Sequence, residues 1–86
     1  MNATPHKNFL KKYIKLRPGE KQKFKERRDL FLNDPFNPIL NNHALEGKYK
    51  GYRSINIGGD LRVVYRLVAD DIALFVTIDT HSNLYK

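Results

Sequence analysis

The sequence predicts an α+β chain in which an N-terminal helical hairpin packs on one face of a small antiparallel sheet. Residues 50–57, 61–68 and 72–79 are short alternating runs rich in Val, Ile, Tyr and Phe, separated by Gly58-Gly59-Asp60 and Asp70-Asp71, the pattern of an antiparallel meander. Two stretches before them space apolar residues at the helical period. The whole chain, residues 1–86, is short enough to read as one domain with a modest core.

In chain order, Met1 to His6 is too short and polar to assign. From Lys7, Phe9, Tyr13 and Leu16 recur at i, i+4, i+7, backed by Leu10 and Ile14 and surrounded by lysines. This helix ends near Arg17-Pro18-Gly19, because proline disfavours the helical region for the residue before it. A second helix, about Glu20 to Leu32, carries Phe24 and Phe31 one heptad apart, with the stem of Arg27 or Arg28 between them, and Asn33-Asp34-Pro35 stops it. A tight Pro-Gly turn between the two makes a hairpin. Phe36 to Gly47 reads as an irregular connection, of a length that is often functional. The tail from His81 to Lys86 is expected to lie over the sheet.

Register decides what the sheet displays. A two-residue turn at Asp70-Asp71 pairs Leu67 with Leu74, Tyr65 with Val76 and Val63 with Ile78 on one apolar face. The opposite face pairs Val64 with Thr77 and Arg62 with Asp79, and His81 continues that parity. A three-residue loop, Gly58 to Asp60, sets Ile57 against Leu61 and Ile55 against Val63, so that Ser54 and Asn56 join Arg62. A two-residue Gly-Gly turn would mix the faces. One face is therefore greasy, for helices, and the other polar.

The net charge of +7 is not spread evenly: residues 1–30 hold ten Lys or Arg against three acids, and the remainder holds six of each. A partner dense in negative charge, nucleic acid or an acidic protein, is the physical expectation; a solvated basic face is the plainer one. The absence of cysteine excludes disulfides and thiolate metal sites and accords with a reducing cytoplasm. Nothing signal-like or long and apolar points to export or to a membrane.

From His43 onward the chain carries His43-Ala44-Leu45-Glu46-Gly47, Lys50-Gly51-Tyr52-Arg53, Asp60-Leu61-Arg62-Val63-Val64-Tyr65-Arg66 and Thr80-His81-Ser82-Asn83-Leu84-Tyr85. As an ordered set over about half the chain these resemble the RelE/ParE toxin superfamily of bacterial toxin–antitoxin systems, and within it the YafQ-like branch. The resemblance implies a RelE-like fold and a ribosome-dependent mRNA endoribonuclease held inactive by a cognate acidic antitoxin. The toxin itself is expected to be cytoplasmic and monomeric outside that complex. By position, the resemblance puts His43, Asp60, His81 and Tyr85 at active-site positions and Arg62 where RelE proper contacts the scissile phosphate. Asn56 stands where the branch has a histidine, Thr77 where it has an arginine, and Leu61 replaces a tryptophan. These departures leave a second reading, a ParE-like gyrase inhibitor or a weakened toxin that only binds its antitoxin.

Metal-independent RNA cleavage removes the 2′-hydroxyl proton, stabilises a phosphorane and protonates the leaving 5′-oxygen. Imidazole suits the proton steps and guanidinium the phosphorane. His81 leads as general acid or base, Asp60 or His43 takes the complementary step, Arg62 holds the phosphate, and Tyr85 stacks on a base or orients the phosphate. Each has a plainer alternative: Arg62 paired with Asp79 across the hairpin, His43 capping a turn, Asp60 placed by turn geometry. Lys48, Lys50, Arg53 and Asn56 are the expected RNA contacts, the basic ones acting through backbone charge. No cofactor is expected, and a zinc site from His43, Asp60 and His81 has no supporting spacing.

Overall fold

The computed structural model describes residues 1–85. Its elements are β1 (Asn2–Pro5), α1 (Lys7–Tyr13), α2 (Pro18–Asn33), β2 (His43–Ala44), β3 (Arg53–Gly58), β4 (Leu61–Ala69), β5 (Ile72–Thr80) and a terminal turn α3 (His81–Leu84), with short 3₁₀ turns at Pro38–Leu40 and Gly47–Tyr49. The five strands form one sheet in the order β1-β5-β4-β3-β2. Only β1–β5 is parallel.

The two helices start on identifiable caps. His6 Nδ1 accepts the Asn8 N–H at 3.0 Å to open α1. Glu20 Oε1 accepts the Arg17 N–H at 2.9 Å to open α2, and Pro18 occupies the first helical position, where its missing N–H is not needed. Pro18-Gly19 therefore starts a helix instead of forming a turn outside it. Phe24 and Phe31 face the sheet as the heptad spacing requires, and Arg27 Nε donates to Ile57 O at 3.3 Å between them.

The core lies between the helices and one face of the sheet. Phe9 sits 5.4 Å from Phe24 and 5.6 Å from Phe75, and Phe31 sits 4.9 Å from Tyr65, ring centre to ring centre. Ile55, Val63 and Ile78 are fully buried beneath them. The pairs Ile55–Val63, Val63–Ile78, Asn56–Arg62 and Arg62–Asp79 agree with the sequence reading.

Three expectations fail through bulges and short strands. The first hairpin turns at Gly59-Asp60 with Gly58 opposite Leu61, leaving Ile57 as an extra residue in β3; Gly59 supplies the left-handed φ of 51°. In the second hairpin Val76 is extra in β5 and Val68 in β4. Between these compensating bulges Tyr65 faces Phe75 and Leu67 faces Ala73. Phe75 and Ala73 thus point into the core in place of Val76 and Leu74, because the larger aromatic ring joins the phenylalanine cluster. The unassigned N-terminus is an edge strand held by backbone bonds such as Asn2 N–H to Asp71 O (2.7 Å) and His6 N–H to Phe75 O (2.8 Å). The connection after Phe36 contains β2, which pairs with Arg53 and Ser54 of β3.

The second face is not simply polar. Val64, Leu45 and Leu84 are buried there, with Tyr49, Tyr52 and Val76 packed against them. This satellite cluster fastens the terminal turn to the sheet, and Lys86 of the tail lies outside the described residues. No helix among the described residues is long and apolar enough to cross a membrane.

Candidate functional site

The polar groups collect at the end of the second face where the β3–β4 turn meets the end of β5. Asn56, Arg62 and Asp79 form one rung across β3, β4 and β5, so their side chains share a face. The Arg62 guanidinium does not pair with Asp79. Its Nη1 donates to Asn56 Oδ1 (2.8 Å), Gly59 O (2.9 Å) and Leu61 O (3.1 Å). Among the described residues no hydrogen bond reaches its Nε or Nη2 and no acid neutralises it, which leaves a fixed cation with donors to spare.

Asp79 does other work. Its Oδ2 accepts from Lys12 Nζ at 3.0 Å, and its Oδ1 from the Thr80 N–H (2.8 Å) and Asn83 Nδ2 (3.0 Å). Partial burial raises the pKa of this carboxyl, but the hydrogen bonds from Asn83, Lys12 and Thr80, with the Lys12 charge, outweigh it and hold the value below normal. The carboxylate thereby joins α1 to the start of α3.

The terminal turn is tied at several points. Thr80 Oγ1 caps it through the Asn83 N–H (3.2 Å). The His81 N–H donates to Asp60 O at 2.8 Å, Ser82 Oγ lies 3.3 Å from Asp60 Oδ2, and Leu84 is buried beneath. His81 is exposed, with its ring 4.8 Å from that of Tyr85. Burial pushes the Tyr85 phenol pKa up and neighbouring Tyr49 adds to this, against the opposing charge of Arg62. A phenol is protonated at neutral pH with or without this shift, so Tyr85 is able to donate. The His81 ring is thus the direct neighbour of Tyr85 at this end of the sheet.

His43 stands on edge strand β2 in the rung His43–Ser54–Val64–Thr77, one same-face step from the Asn56–Arg62 rung. Its Nδ1 lies 2.8 Å from Asn41 O. A carbonyl can only accept, so Nδ1 is the donor in this contact, and among the described residues no hydrogen bond engages Nε2 of the exposed ring. Among the described residues no three His, Cys, Asp or Glu side chains converge on a possible metal position.

The expected RNA contacts divide. Lys48 and Lys50 are exposed on the second face's loop. Asn56 is engaged by Arg62 and serves to hold it. Arg53 is a correction: it pairs with Tyr65, whose side chain is on the helix side, so it faces away from Arg62. There its Nε donates to Asn42 Oδ1 at 2.8 Å, and its guanidinium lies 5.3 Å from the Phe36 ring. It braces the 35–42 connection instead of pointing at the site. The sequence reading also passed over a groove of about 560 Å³ beside the site, with Tyr49 and Tyr52 among its walls; the Tyr-x-x-Tyr spacing was its one visible signal.

Helices laid on one face of this five-stranded, mostly antiparallel sheet, with a polar rung and a terminal turn on the other, define a toxin of RelE/ParE-like fold. Residues 1–86 match the family described as "Bacterial toxin of type II toxin-antitoxin system, YafQ", and the chain belongs to that family. Among solved structures, YafQ from E. coli strain BL21(DE3) superposes with a TM-score of 0.81 at 24% identity, covering 99% of this chain and 98% of that one. A copper-bound mutant toxin from Helicobacter pylori gives 0.77 at 30% identity, covering 98% of each chain. The E. coli DinJ-YafQ toxin-antitoxin complex gives 0.78 at 24% identity, covering 99% of this chain and 97% of that one. No curated protein sequence matches.

Proposed function

We propose that this toxin is an endoribonuclease that cuts mRNA on the ribosome without a metal ion, and that an acidic antitoxin encoded beside it holds it inactive in the cytoplasm. The observation that carries the reading is a guanidinium on the second face, anchored through Nη1 with its remaining donors uncommitted, one strand away from the β5 end that carries the exposed His81 imidazole. An outward fork of N–H groups fits the non-bridging oxygens of a phosphorane.

In this reading a base takes the 2′-hydroxyl proton, the 2′-oxygen attacks the adjacent phosphorus, and the P–O5′ bond breaks as an acid protonates the 5′-oxygen. The products are a 2′,3′-cyclic phosphate and a 5′-hydroxyl. His81 performs one proton transfer. His43, exposed and with no hydrogen bond to Nε2 among the described residues, suits the other better than Asp60, whose carboxylate and carbonyl are engaged by Ser82 and His81. Asp60 then acts by orienting the terminal turn. Tyr85 donates to the phosphate or stacks on the neighbouring base.

A partner of acidic character follows from the basic helices, and a solved relative is crystallised with its antitoxin DinJ. The test is mapping of transcript 5′ ends by primer extension after brief induction, for the parent protein and for His81→Ala. New ends inside coding regions are expected for the parent and not for the variant, since a positioned acid or base contributes about 100- to 10,000-fold. Growth arrest and cleavage unchanged in a folded His81→Ala protein would remove the mechanism. DNA-damage signalling without new ends would favour a gyrase inhibitor, the reading that Asn56 and Thr77 leave open.

A further inference from the structure

The groove between α1 and the Gly47–Tyr49 turn has a composition that the cleavage chemistry does not use. Lys11 and Lys12 of α1, Lys15 just after it and Lys48 line it together with Tyr49 and Tyr52, around a volume of about 560 Å³. That lies within the range of about 300–1,000 Å³ typical of ligand sites. Asp79 pairs with Lys12; among the described residues the other three lysines have no acidic partner. Cationic rims around aromatic walls are the chemistry of single-stranded nucleic acid recognition, phosphates on the lysines and bases on the rings.

A row of aromatic rings links the groove to the site. From His81 the rings run to Tyr85 at 4.8 Å, from Tyr85 to Tyr49 at 6.2 Å and from Tyr49 to Tyr52 at 6.3 Å. We infer that this basic, tyrosine-walled groove is a flanking subsite that holds single-stranded RNA roughly two nucleotides from the scissile phosphate, one base per ring. The inference rests on the nuclease reading for which phosphate is scissile, but not for the binding itself. Tyr49 and Tyr52 use part of their surface to pack on the Leu45–Val64–Leu84 cluster and are only partly buried; an acidic peptide would satisfy the lysines but not use the rings' remaining faces, so RNA is the favoured occupant.

The experiment measures binding of uncleavable 2′-O-methyl oligonucleotides, two to six residues long, to the intact protein by fluorescence anisotropy at several salt concentrations. Affinity is expected to step up once the strand is long enough to enter the groove. Tyr52→Leu, which keeps apolar packing and removes the ring, is expected to weaken hexanucleotide binding by about 5- to 100-fold. Lys11→Ala with Lys15→Ala should abolish the step and flatten the salt dependence by about 1.4 in log–log slope, two phosphates' worth for a single strand. Lys23→Ala with Lys25→Ala, on exposed positions of α2, removes the same charge elsewhere and should keep the step. Equal losses in both lysine pairs, no step with length, or equal displacement by a hexaglutamate peptide would each overturn the subsite. A protein that shows the step but cuts no mRNA keeps the subsite and refutes the nuclease instead.

Discussion

Arg62 offers the sharpest test of the proposed chemistry, because its three hydrogen bonds all use one nitrogen. Nη1 is held by Asn56 Oδ1, Gly59 O and Leu61 O at 2.8–3.1 Å, and the rest of the fork remains for a phosphate. Replacing it by alanine removes a preorganised donor pair from the developing phosphorane, which lowers cleavage by about 100- to 1,000-fold. Lysine keeps the charge but has one ammonium for both tasks, so Arg62→Lys should still fall by about 10- to 100-fold. Stability changes less. The freed acceptors lie where water reaches them, so the net loss is about 1 kcal/mol, a melting shift of about 4–8 °C for a chain this small. The assay is the single-turnover rate of translation-coupled cleavage of a reporter transcript, run beside thermal melting by circular dichroism. A folded Arg62→Lys protein within about threefold of the parent rate, under 1 kcal/mol of barrier, would refute the fork argument, and an equally active Arg62→Ala would remove Arg62 from the mechanism.

Other outcomes follow from the same geometry. Asn42 bonds Pro35 O (2.8 Å), the Tyr65 hydroxyl (2.8 Å) and Arg53 Nε (2.8 Å), so Asn42→Ala leaves partly buried groups unpaired and should destabilise by about 2–4 kcal/mol, read in urea unfolding. The lowered pKa of Asp79 means that its contribution is fully present above the usual carboxylate pKa of about 4 and is lost as pH falls through the lowered folded value. The stability difference between the parent and Asp79→Asn should therefore be flat above about pH 5 and shrink below about pH 4, never exceeding about 1 kcal/mol because the Lys12 partner is half exposed. Leu84→Ala deletes the anchor of the terminal turn, a change of about 2–5 kcal/mol at a buried leucine. Because Leu84 is the buried side chain of this turn and lies in the satellite cluster, separate from the main core, hydrogen exchange should rise at residues 81–85 with core protection kept, and cleavage should drop.

What could be read from the sequence was what period and volume dictate. The alternation in β3 and β4 placed Asn56 on the Arg62 rung, and the Phe24–Phe31 heptad found the buried stripe of α2. The compensating bulges at Val76 and Val68 were invisible because each strand alternates apolar residues on both parities there, so that Leu74 and Val76 read as well as Ala73 and Phe75. Tertiary demand settled the choice: only Phe75 reaches Phe9 and Phe24. Strands β1 and β2 were missed for another reason. They are four and two residues long and are held by neighbours' backbone groups, so their own side chains carry little of the signal.

Arg53 shows how a charge argument fails when it is separated from parity. Once Ser54 and Asn56 are placed on the Arg62 face, period two already sends Arg53 to the other side, where it meets Asn42 and Phe36. The same reasoning works in reverse for the site. A rung of Asn56, Arg62 and Asp79 cannot be covered by an apolar element without burying charge, whereas Val64 in the adjoining rung can. The terminal turn resolves this by splitting its contacts, with Leu84 on the apolar rung and Asp60 and Asp79 bonding its first residues. His81 is therefore held through backbone and neighbours while its ring stays in solvent. That placement requires no partner for the imidazole, which is why a proton-transfer role is compatible with the fold's stability.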